Sequence, residues 1–194
     1  MQATTGRRLA ASCAALTLSG AALFFGTGGA AQAATVYSAS VHSALVHSAS
    51  AATCSQDYLP LPDPNCTPGA TNPDVTQDTI DSTICVSGWT ATVRPPTSYT
   101  NKLKIQQIAE YAYADTSPSS YEEDHFIPLE LGGSPTDPAN LWPEPHSGDA
   151  TSGQKDSVEN KLKRAVCNGS VTLADAQNAI VTDWTTALSS LGLG

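Results

Sequence analysis

The sequence predicts a small α+β domain, stapled by disulfides and built on a hairpin followed by a helix. Three observations predict it. Cys54, Cys66, Cys85 and Cys167 lie downstream of a segment with the features of an export signal. Short apolar pieces of strand length flank Gly132-Gly133, a turn signal. Two later stretches repeat apolar residues at helical spacing.

Arg7 and Arg8 precede an apolar stretch from Leu9 to Phe25, followed by Ala31-Gln32-Ala33. These are the three parts of a secretory signal peptide, expected over 1–33 with cleavage after Ala33. A membrane anchor fits less well, because the stretch is rich in Ala, Ser and Gly and ends in a cleavage pattern. No later segment has the length and apolarity of a membrane span, so the expected product is secreted, extracellular and free of the membrane after cleavage. Cleavage removes Cys13. Four cysteines in an exported chain then predict two disulfides, with three pairings open. A zinc site ranks behind, since no Cys-x-x-Cys pair is present.

Seven cations remain without Arg7 and Arg8, against eighteen acids, a formal net charge of −11. That balance opposes tight, nonspecific binding to nucleic acid through phosphate neutralisation. Four of the seven cations, Lys155, Lys161, Lys163 and Arg164, fall in one expected helix. They form either a local basic strip or a complement to the helix dipole.

Residues 34–53 carry an imperfect, uncharged five-residue repeat, Val-Tyr-Ser-Ala-Ser, Val-His-Ser-Ala-Leu, Val-His-Ser-Ala-Ser, which reads as a low-complexity linker. The domain is expected over 54–194. Its first part, Leu59 to Gly69, has too many prolines for helix or central strand and reads as an extended loop held by its cysteines. Thr79 to Cys85 reads as a turn or short strand, and Val86 to Val93, around Trp89, alternates like a strand ended by Arg94-Pro95-Pro96. Thr100 is placed to cap a helix with Ile105, Ile108, Ala109 and Ala112 on its apolar face. Ser117-Pro118-Ser119-Ser120 leads into the acidic run Glu122-Glu123-Asp124, whose three carboxylates together could attract a cation, with a solvated turn as the plainer reading of Glu122 and Glu123.

The run Asp124-His125-Phe126-Ile127-Pro128-Leu129-Glu130-Leu131-Gly132-Gly133, followed by Asn140-Leu141-Trp142-Pro143, reads as a hairpin with chemistry at its mouth. Alternation sends Asp124 and His125 to opposite faces of an ideal strand, so a shared site requires a bend or a strand end there. Pro143 to Gly153 reads as a loop. A helix is expected from Gln154 to Val166, with Val158, Leu162, Ala165 and Val166 inward and Asn168-Gly169 as its stop. A last helix starts at Thr172, capped through Asp175, with Leu173, Ala176, Ile180, Trp184 and Leu188 inward.

The ordered set Asp-His, Ile-Pro-Leu, Gly-Gly, Asn-Leu and a following helix resembles the HNH, or ββα-metal, endonuclease family, and the run from Tyr121 to Gly169 is similar to small secreted bacterial members. The resemblance covers about a quarter of the chain. It implies a ββα-metal hairpin-helix core, a divalent metal and phosphodiester hydrolysis in DNA or RNA with low sequence specificity. His125 is then the general base, Asp124 a metal ligand, and Asn140 the residue that holds the loop or orients His125. The family closes its motif with a His or Asn on the helix, where this chain has no His after Lys155. Asp156 and Asn160, four apart on one helix face, are the expected replacements as metal ligands. Oxygen donors favour magnesium or manganese and accept zinc. Glu159 is expected to pair with Lys163, Lys155 to be solvated or to meet a phosphate, and His146 to be held in reserve. The expected protein is a monomer with nucleic acid as substrate. The alternative is a noncatalytic exported module that keeps the scaffold for metal binding or structure.

Overall fold

Two antiparallel strands, β1 (Tyr121–His125) and β2 (Leu141–Pro145), form the only sheet among the described residues. The structure is a computed structural model and describes residues 53–194; the expected signal peptide and, apart from Thr53, the expected linker lie outside them. The register pairs Tyr121 with Pro145, Glu123 with Pro143 and His125 with Leu141. Pro143 and Pro145 are tolerated because each strand of a two-stranded sheet is an edge.

The hairpin is present, but residues 126–140 form its connection and Gly132-Gly133 is only part of it. The reason is packing. Phe126 leaves the strand to join Tyr111, Tyr113, Tyr121 and Trp142 in an aromatic core. Ile127 and Leu131 go to a second, aliphatic core with Ile84, Leu162, Val166, Ile180 and Trp184. Leu129–Leu131 makes a single 3-10 turn between them. Gly133 is required where it stands, since a Cβ there would lie 1.7 Å from the Ile127 carbonyl oxygen.

The expected strand at Val86–Val93 is instead a turn followed by a short helix, α1 (Trp89–Val93). Gly88 turns the chain at φ 79°, and no residue of α1 is fully buried, so the apolar alternation does not mark a sheet face. Thr79 to Cys85 contains a 3-10 turn, Ile80–Ser82. The next helix, α2 (Thr97–Glu110), starts before Thr100, with Pro96 in the cap position. Its inward face carries Gln107 and Ile108, while Ile105 is 59% exposed, so the expected face is rotated.

The later helices follow the sequence more closely. Thr151 and Gln154 make a capping box for α3 (Ser152–Cys167), which buries Leu162, Ala165 and Val166 and stops at Asn168-Gly169. Thr172 accepts the Asp175 N–H at 3.1 Å and caps α4 (Leu173–Asp183), whose Leu173, Ala176 and Ile180 are buried. A short α5 (Ala187–Ser190) follows.

The disulfides are Cys54–Cys66 and Cys85–Cys167. The first closes the proline-rich loop, inside which the Asp63 carboxylate accepts the backbone N–H groups of Ser55 at 2.7 Å and Asn65 at 2.8 Å. The second fastens the segment before α1 to the end of α3. Among the described residues no helix is long and apolar enough to cross a membrane.

Candidate functional site

The end of β1 and one face of α3 enclose a cavity of about 110 Å³, lined by Glu122, Asp124, His125, Glu130, Asp156, Glu159 and Asn160, with Arg94 beside them. It has room for a few waters at roughly 30 Å³ each. A larger cavity, about 560 Å³, lies elsewhere, between α2 and the Cys54–Cys66 loop, and is lined by no histidine.

The strand ends at His125. That termination lets Asp124 and His125 serve one cavity although they are sequence neighbours. Both are buried, at 8% and 5% exposure, and form the floor; Asp156 and Asn160, one turn apart on α3, form an exposed rim. The Asn160 amide donates to the Asp156 carbonyl at 2.8 Å.

His125 Nε2 lies 3.1 Å from the Pro135 carbonyl oxygen. A carbonyl only accepts, so Nε2 carries the proton and Nδ1 keeps the lone pair. Burial lowers the imidazole's proton affinity, against the opposing pull of the Pro135 bond and Asp124. The ring is therefore neutral at pH 7, the form a base requires.

Asn140 does not orient His125. Its Oδ1 accepts the Ile127 N–H at 2.9 Å, and its Nδ2 donates to the Ile127 and Ser134 carbonyls, both at 3.0 Å. It is fully buried and clamps the hairpin connection from within. That is one of the two roles the sequence left open for it.

Lys155 corrects the sequence reading most sharply. It is neither solvated nor free for a phosphate, being 0% exposed. Its Nζ donates to Asp124 Oδ2 at 2.7 Å, to the His125 carbonyl at 3.0 Å and to Glu159 Oε1. Glu159 is thus paired with Lys155 one turn back, not with Lys163, whose ammonium stands 3.8 Å from Glu130. Burial alone would depress the Lys155 ammonium, but Asp124, Glu159 and Glu144 outweigh it and raise its proton affinity. Glu159 is pushed up to about 7, by burial first.

Glu144 stands directly across the sheet from Glu122, is 1% exposed and has no hydrogen-bond partner on either oxygen. Burial, then Asp124, pushes its carboxyl up to about 9, so it is protonated at neutral pH. Glu123, expected in a solvated turn, lies within β1, and burial pushes it up to about 8. His146 shares a hydrogen bond of 2.9 Å with Ser152 Oγ at the start of α3 and does not itself line the cavity.

Among the described residues no three His, Cys, Asp or Glu side chains are grouped so as to hold a metal ion between them. The donors lining the cavity nevertheless have the chemistry of a hard-cation site. Asp124, Asp156 and Asn160 offer only oxygens, with Glu122 beside them. Glu122 and Asp156 have no ion-pair partner among the described residues, and both carboxyls are pushed up by burial and then by Asp124. A divalent cation would relieve that kind of crowding, but no three of these carboxylates are grouped to hold one.

Arg94 and Glu144 are neighbours that sequence reading did not place near the site, and Lys155 was expected at a phosphate or in solvent, not between Asp124 and Glu159. Arg94 ends α1 and reaches the cavity through the tertiary fold alone. The Lys155-Glu159 spacing puts the two side chains on one helix face but carries no sign of their burial. No family model matches the chain, and no curated protein or solved structure matches it either, so its activity has to be read from these side chains.

Proposed function

We propose that the chain is a secreted, metal-dependent phosphodiesterase of the HNH type, acting on DNA or RNA with little sequence preference, and that the cavity between β1 and α3 is its active site. One observation carries the reading. Asp124 and His125 from the strand end and Asp156 and Asn160 from the helix line the same cavity, although more than thirty residues separate the two pairs along the chain.

His125, neutral and fixed through Nε2, takes a proton from water at Nδ1. Asp124, Asp156 and Asn160 are the residues that would hold magnesium or manganese. A bound divalent cation supplies the electrophile for a phosphate oxygen and steadies the leaving oxygen. Arg94, the exposed cation at the cavity, meets the phosphate. A cavity this small admits a phosphate group and water but no base, which agrees with low sequence preference. Export is supported by the two disulfides.

A second reading, a noncatalytic exported module, is favoured by one specific contact: the Lys155 ammonium occupies Asp124 Oδ2. Incubating the purified mature chain with plasmid and with RNA, in magnesium, manganese or zinc, separates the two. Cleavage that needs added metal is the expected result, and no cleavage with any metal favours the module.

A further inference from the structure

We propose that the cavity beside Glu144 is a binding site for a primary alkylammonium group, whose N–H donors meet the Glu144 carboxylate while its carbon chain lies against Leu59, Pro60 and Pro145. Glu144 does not line the cavity between β1 and α3, and the proposal does not rest on the hydrolytic reading.

Glu144 is the observation that points to a ligand. It lines this second cavity, is 1% exposed and has no hydrogen-bond partner on either oxygen among the described residues. An ionised carboxylate has about four acceptor positions, and burying them without donors is costly. Folded proteins keep few such groups, and each calls for a reason. Here the missing donors are ones that a ligand can bring.

The rest of the lining selects a cation with an apolar body. Leu59, Pro60, Pro145 and Ala150 supply carbon, Asp149 adds a second acid, and no Lys, Arg or His lines the space. The volume is about 250 Å³. A cavity of about 150 Å³ is enough for benzene, so this one holds a short alkyl chain with its ammonium head. Its walls are fixed in advance. The Pro60 carbonyl accepts the Trp184 indole N–H at 3.0 Å, and Ala150 packs against the aliphatic core.

At neutral pH Glu144 keeps its proton, because burial and then Asp124 push its carboxyl up to about 9. An arriving ammonium takes the place of that proton, which leaves to water, so binding converts the neutral acid to the carboxylate and releases one proton. The other titratable groups around Glu144 are Glu122 and Asp124 of β1, Lys155 and Glu159 of α3, Tyr113 of the aromatic core and Asp149 of the cavity loop. Alkylamines stay charged up to about pH 10.4, so affinity rises with pH between 7 and 9.

The test titrates the mature chain with n-butylamine hydrochloride at pH 7 and pH 8 and follows backbone amide shifts by NMR. Saturable shifts are expected at Leu59, Glu144 and Ala150, with a dissociation constant about tenfold lower at pH 8. n-Butanol, which has the same stem and no charge, should bind far more weakly. Glu144→Gln, shown by melting to be folded, should weaken butylamine binding about ten- to a hundredfold and abolish its pH dependence. Leu59 is 39% exposed, so Leu59→Ala keeps the fold and should weaken butylamine severalfold more than methylamine; this comparison decides if Glu144→Gln does not fold. A parallel titration with Nα-acetyl-lysine amide names the source: binding at the same amides means that a lysine side chain enters, and binding of butylamine alone means a free amine. No saturable shift at these amides, equal affinity for butanol, or butylamine binding unchanged in the variants overturns the proposal. None of these measurements reads nucleic-acid cleavage, so the two proposals fail separately.

Discussion

Lys155 Nζ lies 2.7 Å from Asp124 Oδ2, with the two side chains 1% and 10% exposed. An ion pair buried to this degree gives little net stability against an apolar pair, but removing one partner leaves the other charge stranded. Asp124→Ala should therefore lower unfolding free energy by about 3–5 kcal/mol, measured in urea at pH 7. A loss below about 1 kcal/mol, the range of exposed pairs, would show that the contact is solvated.

Glu144 predicts a pH dependence of stability. Its folded-state value of about 9 lies above the ordinary 4.5, so the native state keeps a proton that the unfolded chain releases. The stability this contributes is complete below pH 4.5 and is lost as pH rises toward 9. Glu123, pushed up to about 8, acts in the same direction. Glu144→Gln keeps a neutral side chain at every pH. Its advantage over the natural chain should grow from pH 5 to pH 9 in parallel denaturation curves; a constant difference would place a charged, solvated carboxylate at this position.

Asn140 clamps the Ile127 and Ser134 backbone and makes no hydrogen bond to His125. Leaving those buried groups unsatisfied costs about 1–3 kcal/mol for each, so Asn140→Ala should lose on the order of 3 kcal/mol. Below its melting temperature, the variant should keep the pH profile of cleavage. A displaced profile would return Asn140 to the role of orienting the base.

Cys85 and Cys167 close a loop of 82 residues and fasten α3 to the segment before α1. Replacing both by serine should cost about 2–5 kcal/mol in urea denaturation. An unchanged midpoint would mean that packing of α3 alone sets its position.

The hairpin, α3 and α4 were legible because their signals are local. Asp-His at a strand end, the Thr151-Gln154 box and the Thr172-Asp175 cap each act within a few residues. The same locality explains the errors. Val86–Val93 alternates like a strand but has no neighbouring strand to pair with, and Gly88 turns it into helix. Ile105 fits the apolar face of α2 in sequence, yet the aromatic core takes Ile108 and leaves Ile105 exposed. Asp124, His125, Asp156 and Asn160 could be proposed as one site, since strand and helix are joined in the hairpin-helix order. The Lys155 contacts could not, because a Lys four residues before a Glu reads as an ordinary surface pair. What buries it is Asp124, a strand residue, with Glu144 from the opposite strand beside it. Arg94 likewise reaches the cavity only through the course of the chain after α1.

Plasmid cleavage by the mature chain in magnesium or manganese, beside a His125→Ala variant shown by melting to be folded, tests the account most directly. A general base contributes about 10²–10⁴-fold, so the variant's rate should fall by that factor while its metal dependence persists. A His125→Ala chain that cleaves at the rate of the natural protein would contradict the assignment of His125 as the base, and with it the reading of this cavity as an active site.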